Sequence, residues 1–225
     1  MPDTAQRVQA LDVLRKEIAT FDWSRLTDGK RLILDAFLRI VTTDGYSAVT
    51  MRGLARHVNM KAGSLYSHFP GGRDEVVDTA LRWHFYQFAK GTIDAVGPAA
   101  DAADFWKTLV DQQVRRQLQT PENDMFDLIL ATDRISQFLP TETRQDINHL
   151  VDLNAALFKG AALDMGYQGD VDLAVSIVIA ILDGVHSWSH WTGDAADVDR
   201  ISDAAVRTSL STLEAHLLSG TTTTA

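Results

Sequence analysis

Cysteine is absent from the 225 residues, which excludes disulfides, thiolate metal sites and cysteine nucleophiles. Long hydrophobic runs are absent as well. The longest, Leu173 to Leu182, is interrupted by Ser176 and is too short to span a bilayer. No alternating apolar–polar stretch and no Asn-Gly hairpin signal appears, so nothing points to strands. No glycine loop suited to cradling a phosphate, no internal repeat and no signal-peptide pattern is visible. Acid is missing from one place in particular: no Asp or Glu occurs between Gly45 and Gly72. What is present is 45% hydrophobic residues, enough to fill a core. The plain reading is an all-α, cytoplasmic protein.

The acid-free stretch is the informative one. Met51, Leu54, Ala55 and Val58 recur at i, i+3, i+4 and i+7, one face of a short helix. Thr50 stands where it can cap that helix. Asn59 tolerates the left-handed backbone of a sharp turn. A second short helix follows, with Met60, Leu65 and Phe69 inward and Pro70 closing it. Its outer face is small, polar and cationic: Lys61, Ala62, Gly63, Ser64, Tyr66 and Ser67, and His68 is a further candidate for groove or phosphate contact. Such a face suits entry into a DNA major groove, where bulk blocks approach and acid repels phosphate.

The charge distribution agrees. Net charge is −9, which taken alone argues against a nucleic-acid partner. From Ser24 to Arg73, however, eight basic residues face three acids, whereas from Val76 onward ten face twenty-one. A basic module on an acidic body fits a DNA reader.

The stretch T-M-R-G-L-A-R-H-V-N-M-K-A-G-S-L-Y-S-H-F-P resembles the helix-turn-helix of TetR-family transcriptional regulators. The likeness extends upstream through I-L-D-A-F-L-R-I-V-T-T-D-G-Y-S-A-V-T. It implies a three-helix DNA-binding head, with helix-turn-helix, at residues 27–73. A helical regulatory and dimerisation body would occupy 74–220, after an N-terminal extension at 1–26 and before a disordered tail at 221–225. The family often has a small hydroxyl residue where Lys61 stands and Lys where Ala62 stands. It also often has a polar residue and Lys where this chain has Gly71 and Gly72. The phosphate clamp is therefore expected to fall to Arg73. Thr50 and Arg52 should hold the backbone beside the groove, and Lys30 and Arg31 should point at phosphate. The resemblance further implies a homodimer through the last two long helices, a small apolar effector and a double-stranded DNA operator, with no membrane partner.

Outside the head the pattern is helical throughout. Val8, Leu11, Leu14, Ile18 and Phe21 predict an amphipathic helix, either an arm on DNA or a helix that packs. Asp28 is expected to cap a helix with Ile33, Ala36, Phe37, Ile40 and Val41 inward, stopped by Gly45. Val77, Leu81, Phe85 and Phe88 carry the next helix towards Gly91, with a break at Gly97-Pro98. Phe105, Leu109 and Val114 mark another. Met125, Phe126, Ile129, Leu130 and Ile135 follow Pro121. A helix from Thr141 should turn Ile147, Leu150, Val151, Leu157 and Phe158 inward. The helix opened by Asp170 is apolar on nearly every side and is expected to be buried all round. A last helix over 194–218 should show an apolar stripe (Val206, Leu210, Leu213, Leu217) and a face of small residues (Ala204, Ala205, Thr208, Ser211, Ala215).

His186 and His190, at i and i+4 with Asp183 on the same predicted face, have a spacing that can hold a metal. Trp188 and Trp191 interleave, and the segment reads better as an aromatic helix end, so neither metal nor cofactor is expected. Ser187 and Ser189 cannot reach triad geometry from helical neighbours of His186, and no catalytic residues are assigned. Phe85, Phe88, Trp106, Phe126, Phe158 and His186 are candidates to line an effector pocket; aromatics at helical spacing equally fill a solid core. The stretch D-G-V-H-S-W-S-H-W resembles family members that answer to lipid-like or acyl-CoA ligands. A constitutive or protein-controlled DNA binder, or a helical enzyme or adaptor with a vestigial head, is the competing expectation.

Overall fold

The computed structural model describes residues 5–219, and within them the chain is all-α, with no strand. Eleven α-helices follow in order: α1 (Gln6–Ala19), α2 (Asp28–Asp44), α3 (Met51–His57), α4 (Ala62–His68), α5 (Arg73–Val96), α6 (Ala102–Gln119), α7 (Pro121–Ser136), α8 (Thr141–Asp164), α9 (Val171–Asp183), α10 (Val185–Ser189) and α11 (Val198–Ser219). Short 3-10 turns at Tyr46–Ala48 and Ala195–Asp197 join two of them. The tail at 221–225 lies outside the described residues.

The helices group into two compact units that do not follow chain order. One, the head unit, comprises residues 20–88 and 122–150. The other, the body unit, comprises the described residues of 1–19, 89–121 and 151–225. Helices α5, α7 and α8 each contribute residues to both.

The head unit is built on the expected apolar faces. Ile33, Leu34, Phe37, Leu54, Leu65, Phe69, Val76 and Leu81 are all buried. Helix α2 starts at Thr27, whose hydroxyl accepts from Lys30 N; Asp28, the expected cap, is instead the first helical residue, where its charge suits the positive helix end. Gly45, at φ 80°, ends α2 as predicted. Residues from α7 and α8 complete this unit. The side chain of Asp133 is only 4% exposed. It accepts from Leu139 N at 2.7 Å and from the Arg144 guanidinium, which also donates to Leu139 O. That knot fixes the α7–α8 corner. The start of α8 is fastened to α5, because Thr143 and Arg82 both reach Asp78 and Arg82 also pairs with Asp146.

In the body unit α6, α9 and α11 pack on one another. Trp106 is fully buried, its indole N–H donating to Ser209 Oγ at 3.0 Å and its ring meeting Phe158 edge-on at 5.5 Å. Asp111 accepts from Ser202 and Arg115, and Arg115 reaches on to Asp199.

Three expectations fail here, on α8, on α9 and at the start of the last helix. Helix α9 buries Ala174, Val175, Val178 and Leu182 but leaves Leu173 49% exposed. Val151 points outward at 38% exposure. Along α11 the inward line is Ile201, Ser202, Ala205, Ser209 and Leu213, whereas Leu210 is 38% exposed. Of the small-residue face Ala205 is buried while Thr208 and Ser211 are exposed, and α6 brings Trp106 against Ser209 instead. The last helix starts at Val198, and Asp194 caps the preceding 3-10 turn instead.

Candidate nucleic-acid interface

The helix-turn-helix is assembled from local rules. Thr50 Oγ1 accepts from Gly53 N at 2.9 Å and caps α3. Gly53 matters to that cap, since a Cβ there would meet Ala48 O at 3.0 Å and Thr50 Oγ1 at 3.1 Å. Asn59 adopts the left-handed backbone expected of it, φ 54°. Around it Met60 N bonds Ala55 O and Asn59 N bonds Arg56 O, the paired closure that ends a helix at a left-handed residue. The turn thus delivers α4 at a set angle to α3. Leu65 and Phe69 anchor α4 in the head core. Gly72, at φ 73°, and Glu75, whose carboxylate accepts from Gly71 N, then launch α5.

With those anchors inward, the other side of α4 faces water. Lys61, Gly63, Ser64 and Ser67 are exposed, and Tyr66 is 51% exposed. Ala62 and His68 are half-buried. His68 has a packing role too. Its imidazole lies against Gly29 in the first turn of α2, where a Cβ would stand 3.1 Å from its ring. Lys30 is half-buried, its ammonium 5.2 Å from the centre of the Phe69 ring. Thr50 and Arg52 are exposed beside α4 on α3 and its cap. The face so formed carries cations, hydroxyls and ring edges, and no carboxylate.

Arg73 occupies a different setting. Its guanidinium sits 4.1 Å from the centre of the Tyr46 ring and donates to Tyr46 O at 3.3 Å, and its buried Nε has no hydrogen-bond partner. Burial pushes the Tyr46 phenol up, partly offset by the Arg73 charge. The Phe138 ring from the α7–α8 corner lies 4.1 Å from the same tyrosine. This three-layer contact was not legible in the sequence, because Phe138 and Tyr46 are far apart in the chain and neither belongs to a periodic pattern.

The effector-pocket candidates divide between the units. In the head unit Phe85 and Phe88 are neighbours, 6.2 Å apart, and Phe126 stacks on His84. In the body unit Trp106 meets Phe158, while an exposed His186 bonds Gln117 O through Nε2 at 2.9 Å. The metal spacing loses its premise. Gly184 interrupts the helix, His190 is left-handed at φ 52°, and Asp183 accepts from Gln113. Among the described residues no group of three or more His, Asp or Glu is placed to hold a metal.

Comparison with known proteins bears on this face. Residues 33–80 match the family described as bacterial regulatory proteins, tetR family. The HTH-type transcriptional repressor KstR of Mycolicibacterium smegmatis is 26% identical over 187 residues, covering 82% of this chain and 88% of that protein. A TetR-family transcriptional regulator from Bordetella parapertussis 12822 shares the fold with a TM-score of 0.68 at 14% identity, over 81% of this chain and 94% of its own. AibR, solved in complex with isovaleryl coenzyme A and operator DNA, has a TM-score of 0.65 at 16% identity, over 79% and 95% of the two chains. The likeness is to regulators, not enzymes, and it extends well beyond the segment carrying the acid-free helix. Residues 33–80 carry the DNA-binding segment of the tetR family of bacterial regulatory proteins, and the chain as a whole resembles TetR-type transcriptional regulators in sequence and fold.

Proposed function

We propose that the protein is a ligand-responsive, dimeric repressor that binds a palindromic operator and leaves it when a small, mainly apolar effector binds the body. One observation carries the DNA reading: the exposed, carboxylate-free face of α4 within the basic stretch 24–73. Lys61, Ser64, Tyr66, Ser67 and His68 meet groove and phosphate, with Ala62 and Gly63 allowing close approach. Thr50, Arg52 and Lys30 hold the flanking backbone, and Arg73 supports them from the start of α5. A second copy would cover the outward side of Leu173 on α9 and Leu210 on α11, which are otherwise left in water. Such a dimer would offer two recognition helices to successive major grooves about 34–36 Å apart. That KstR is a repressor supports the sign of regulation. The acyl thioester bound by AibR supports an effector of lipid-like character, with Trp106, Phe158 and His186 as its candidate contacts within the body unit. Helix α5 continues from the head unit into the body unit, so a ligand pressing on it can bias the head. An effector need only favour the non-binding state by about 1–3 kcal/mol to weaken operator binding 5–150-fold.

Band shifts with the DNA upstream of the protein's own gene should show specific binding that weakens steeply with salt. If an unbiased selection from random duplexes yields no preferred sequence, the regulator reading fails. Native mass spectrometry of protein purified from its host should reveal a co-purified apolar compound that raises the melting temperature.

A further inference from the structure

Arg73 opens α5 directly after the turn that leaves α4, where a phosphate contact was expected, yet it is turned towards the fold. Its guanidinium lies 4.1 Å from the centre of the Tyr46 ring, Nη2 donates to Tyr46 O at 3.3 Å, and Nε is buried without a hydrogen-bond partner. A clamp on phosphate needs its fork of donors free. Here one donor is given to a backbone carbonyl and another is shut away. A buried, unmet N–H is costly, and the cation–π attraction of the ring offsets that cost. The same helix start carries an exposed Asp74 and a half-buried Glu75, and carboxylates repel phosphate.

Tyr46 in turn seats α3. Its carbonyl also accepts from Val49 N at 3.1 Å, which closes the 3-10 turn. That turn abuts the first turn of α3, since a Cβ on Gly53 would stand 3.0 Å from Ala48 O. Arg73 therefore ties the entry to α3 to the exit from α4. The third layer is Phe138, whose ring lies 4.1 Å from that of Tyr46 at a tilt of 34°. Phe138 is held firmly at the α7–α8 corner. Gln137 before it is left-handed at φ 47°, and Leu139 after it donates its N–H to Asp133 at 2.7 Å. All of these residues belong to the head unit.

We propose that Arg73 is a positioning residue and not a phosphate contact: stacked with Tyr46 and Phe138, it braces the helix-turn-helix at both of its chain ends, and the working DNA-binding head extends to the α7–α8 corner. Loss of any layer frees the turn into α3 and the start of α5 together, so α4 meets the groove at a poorer angle. This role presupposes the DNA-binding reading above, yet the stack itself is testable without DNA.

Two measurements on the full chain test it. The first is operator binding followed against salt. Arg73→Ala should weaken binding by about fivefold or more, the low end of coupling between sites, and leave the salt slope unchanged. A lost phosphate contact would instead lower that slope by about one. Phe138→Ala removes no charge and should weaken binding to a similar degree, whereas Phe138→Tyr keeps the ring and should keep the affinity. The second is hydrogen exchange read by mass spectrometry, without DNA. Arg73→Ala and Phe138→Ala should each speed exchange at both 46–57 and 73–77 by about fivefold or more. Phe138→Leu, which keeps apolar bulk but no ring face, serves if Phe138→Ala does not fold. A slope that falls by about one in Arg73→Ala, undiminished binding in either alanine variant, or exchange altered only beside the substituted residue overturns the assignment. If no operator is found, the regulator reading fails, and the exchange pattern alone decides whether the stack holds the helix-turn-helix.

Discussion

Lys61, exposed at the start of α4, and Tyr66, half exposed on its outer face, anchor no core, so their removal should be felt by DNA more than by the fold. Tyr66→Ala and Lys61→Ala are each expected to weaken operator binding while leaving the melting temperature nearly unchanged. If Lys61 touches only phosphate, its loss lowers the salt slope by about one and weakens all sequences alike; loss at a single base position would make it a base reader. Leu65→Ala, by contrast, removes a fully buried side chain and should cost about 2–5 kcal/mol in thermal or urea unfolding. Titration gives a further residue-level test. Burial pushes the Asp133 carboxyl up, but Arg144 and the Leu139 amide outweigh that and hold it below the usual carboxylate range. A depressed folded-state value means stability that is fully present above the ordinary Asp range and lost as pH falls through the lowered one. Asp133→Asn should therefore flatten the acid limb of the melting curve against pH. An unchanged acid limb would remove Asp133 from that role.

Among the elements, those written in local chemistry were legible. The two short helices of the helix-turn-helix follow from one apolar face each, a threonine cap and a left-handed asparagine. All three features reappear in the structure at Leu54, Thr50 and Asn59. Thr50→Ala should lose the α3 cap, at about 1 kcal/mol, and should loosen DNA binding with it. A direct check is circular-dichroism melting beside a band shift. What was not legible is which side of an apolar helix turns inward. Helix α11 offered a leucine stripe and a stripe of small residues, and the sequence did not say which members of each turn inward: Ala205 and Leu213 do, Thr208 and Leu210 do not. The choice belongs to Trp106 on another helix, which needs a hydroxyl acceptor and finds Ser209. Nor could a helical wheel anticipate the Gly184 break, which separates Asp183 from His186 and removes the apparent metal face. Trp106→Phe should cost roughly 0.5–1.5 kcal/mol for the lost hydrogen bond.

At the scale of the whole molecule, the charge division assigns tasks. The basic stretch at 24–73 attracts phosphate, while the acidic remainder limits indiscriminate sticking along DNA. The exposed apolar side chains on α9 and α11 set the expected assembly. The double variant Leu173→Glu, Leu210→Glu should sediment as a monomer and lose most operator affinity, since each half-site alone is bound weakly. A double variant that remains a dimer would move the interface elsewhere. The candidate effector residues were chosen for aromatic character, and that signal cannot tell a lined cavity from a filled core. The near-complete burial of Trp106 and Phe158 shows how closely the two resemble each other on paper.

The division of labour along α4 has a consequence for how such a regulator diversifies. Leu65 and Phe69 hold the helix in place, and His68 is wedged against Gly29, so these positions are constrained by folding. Lys61, Ser64 and Ser67 are exposed and have no such duty. After gene duplication, a descendant can alter those three and drift towards a new target site without passing through an unstable intermediate. The same freedom makes them the natural positions for a retargeting library.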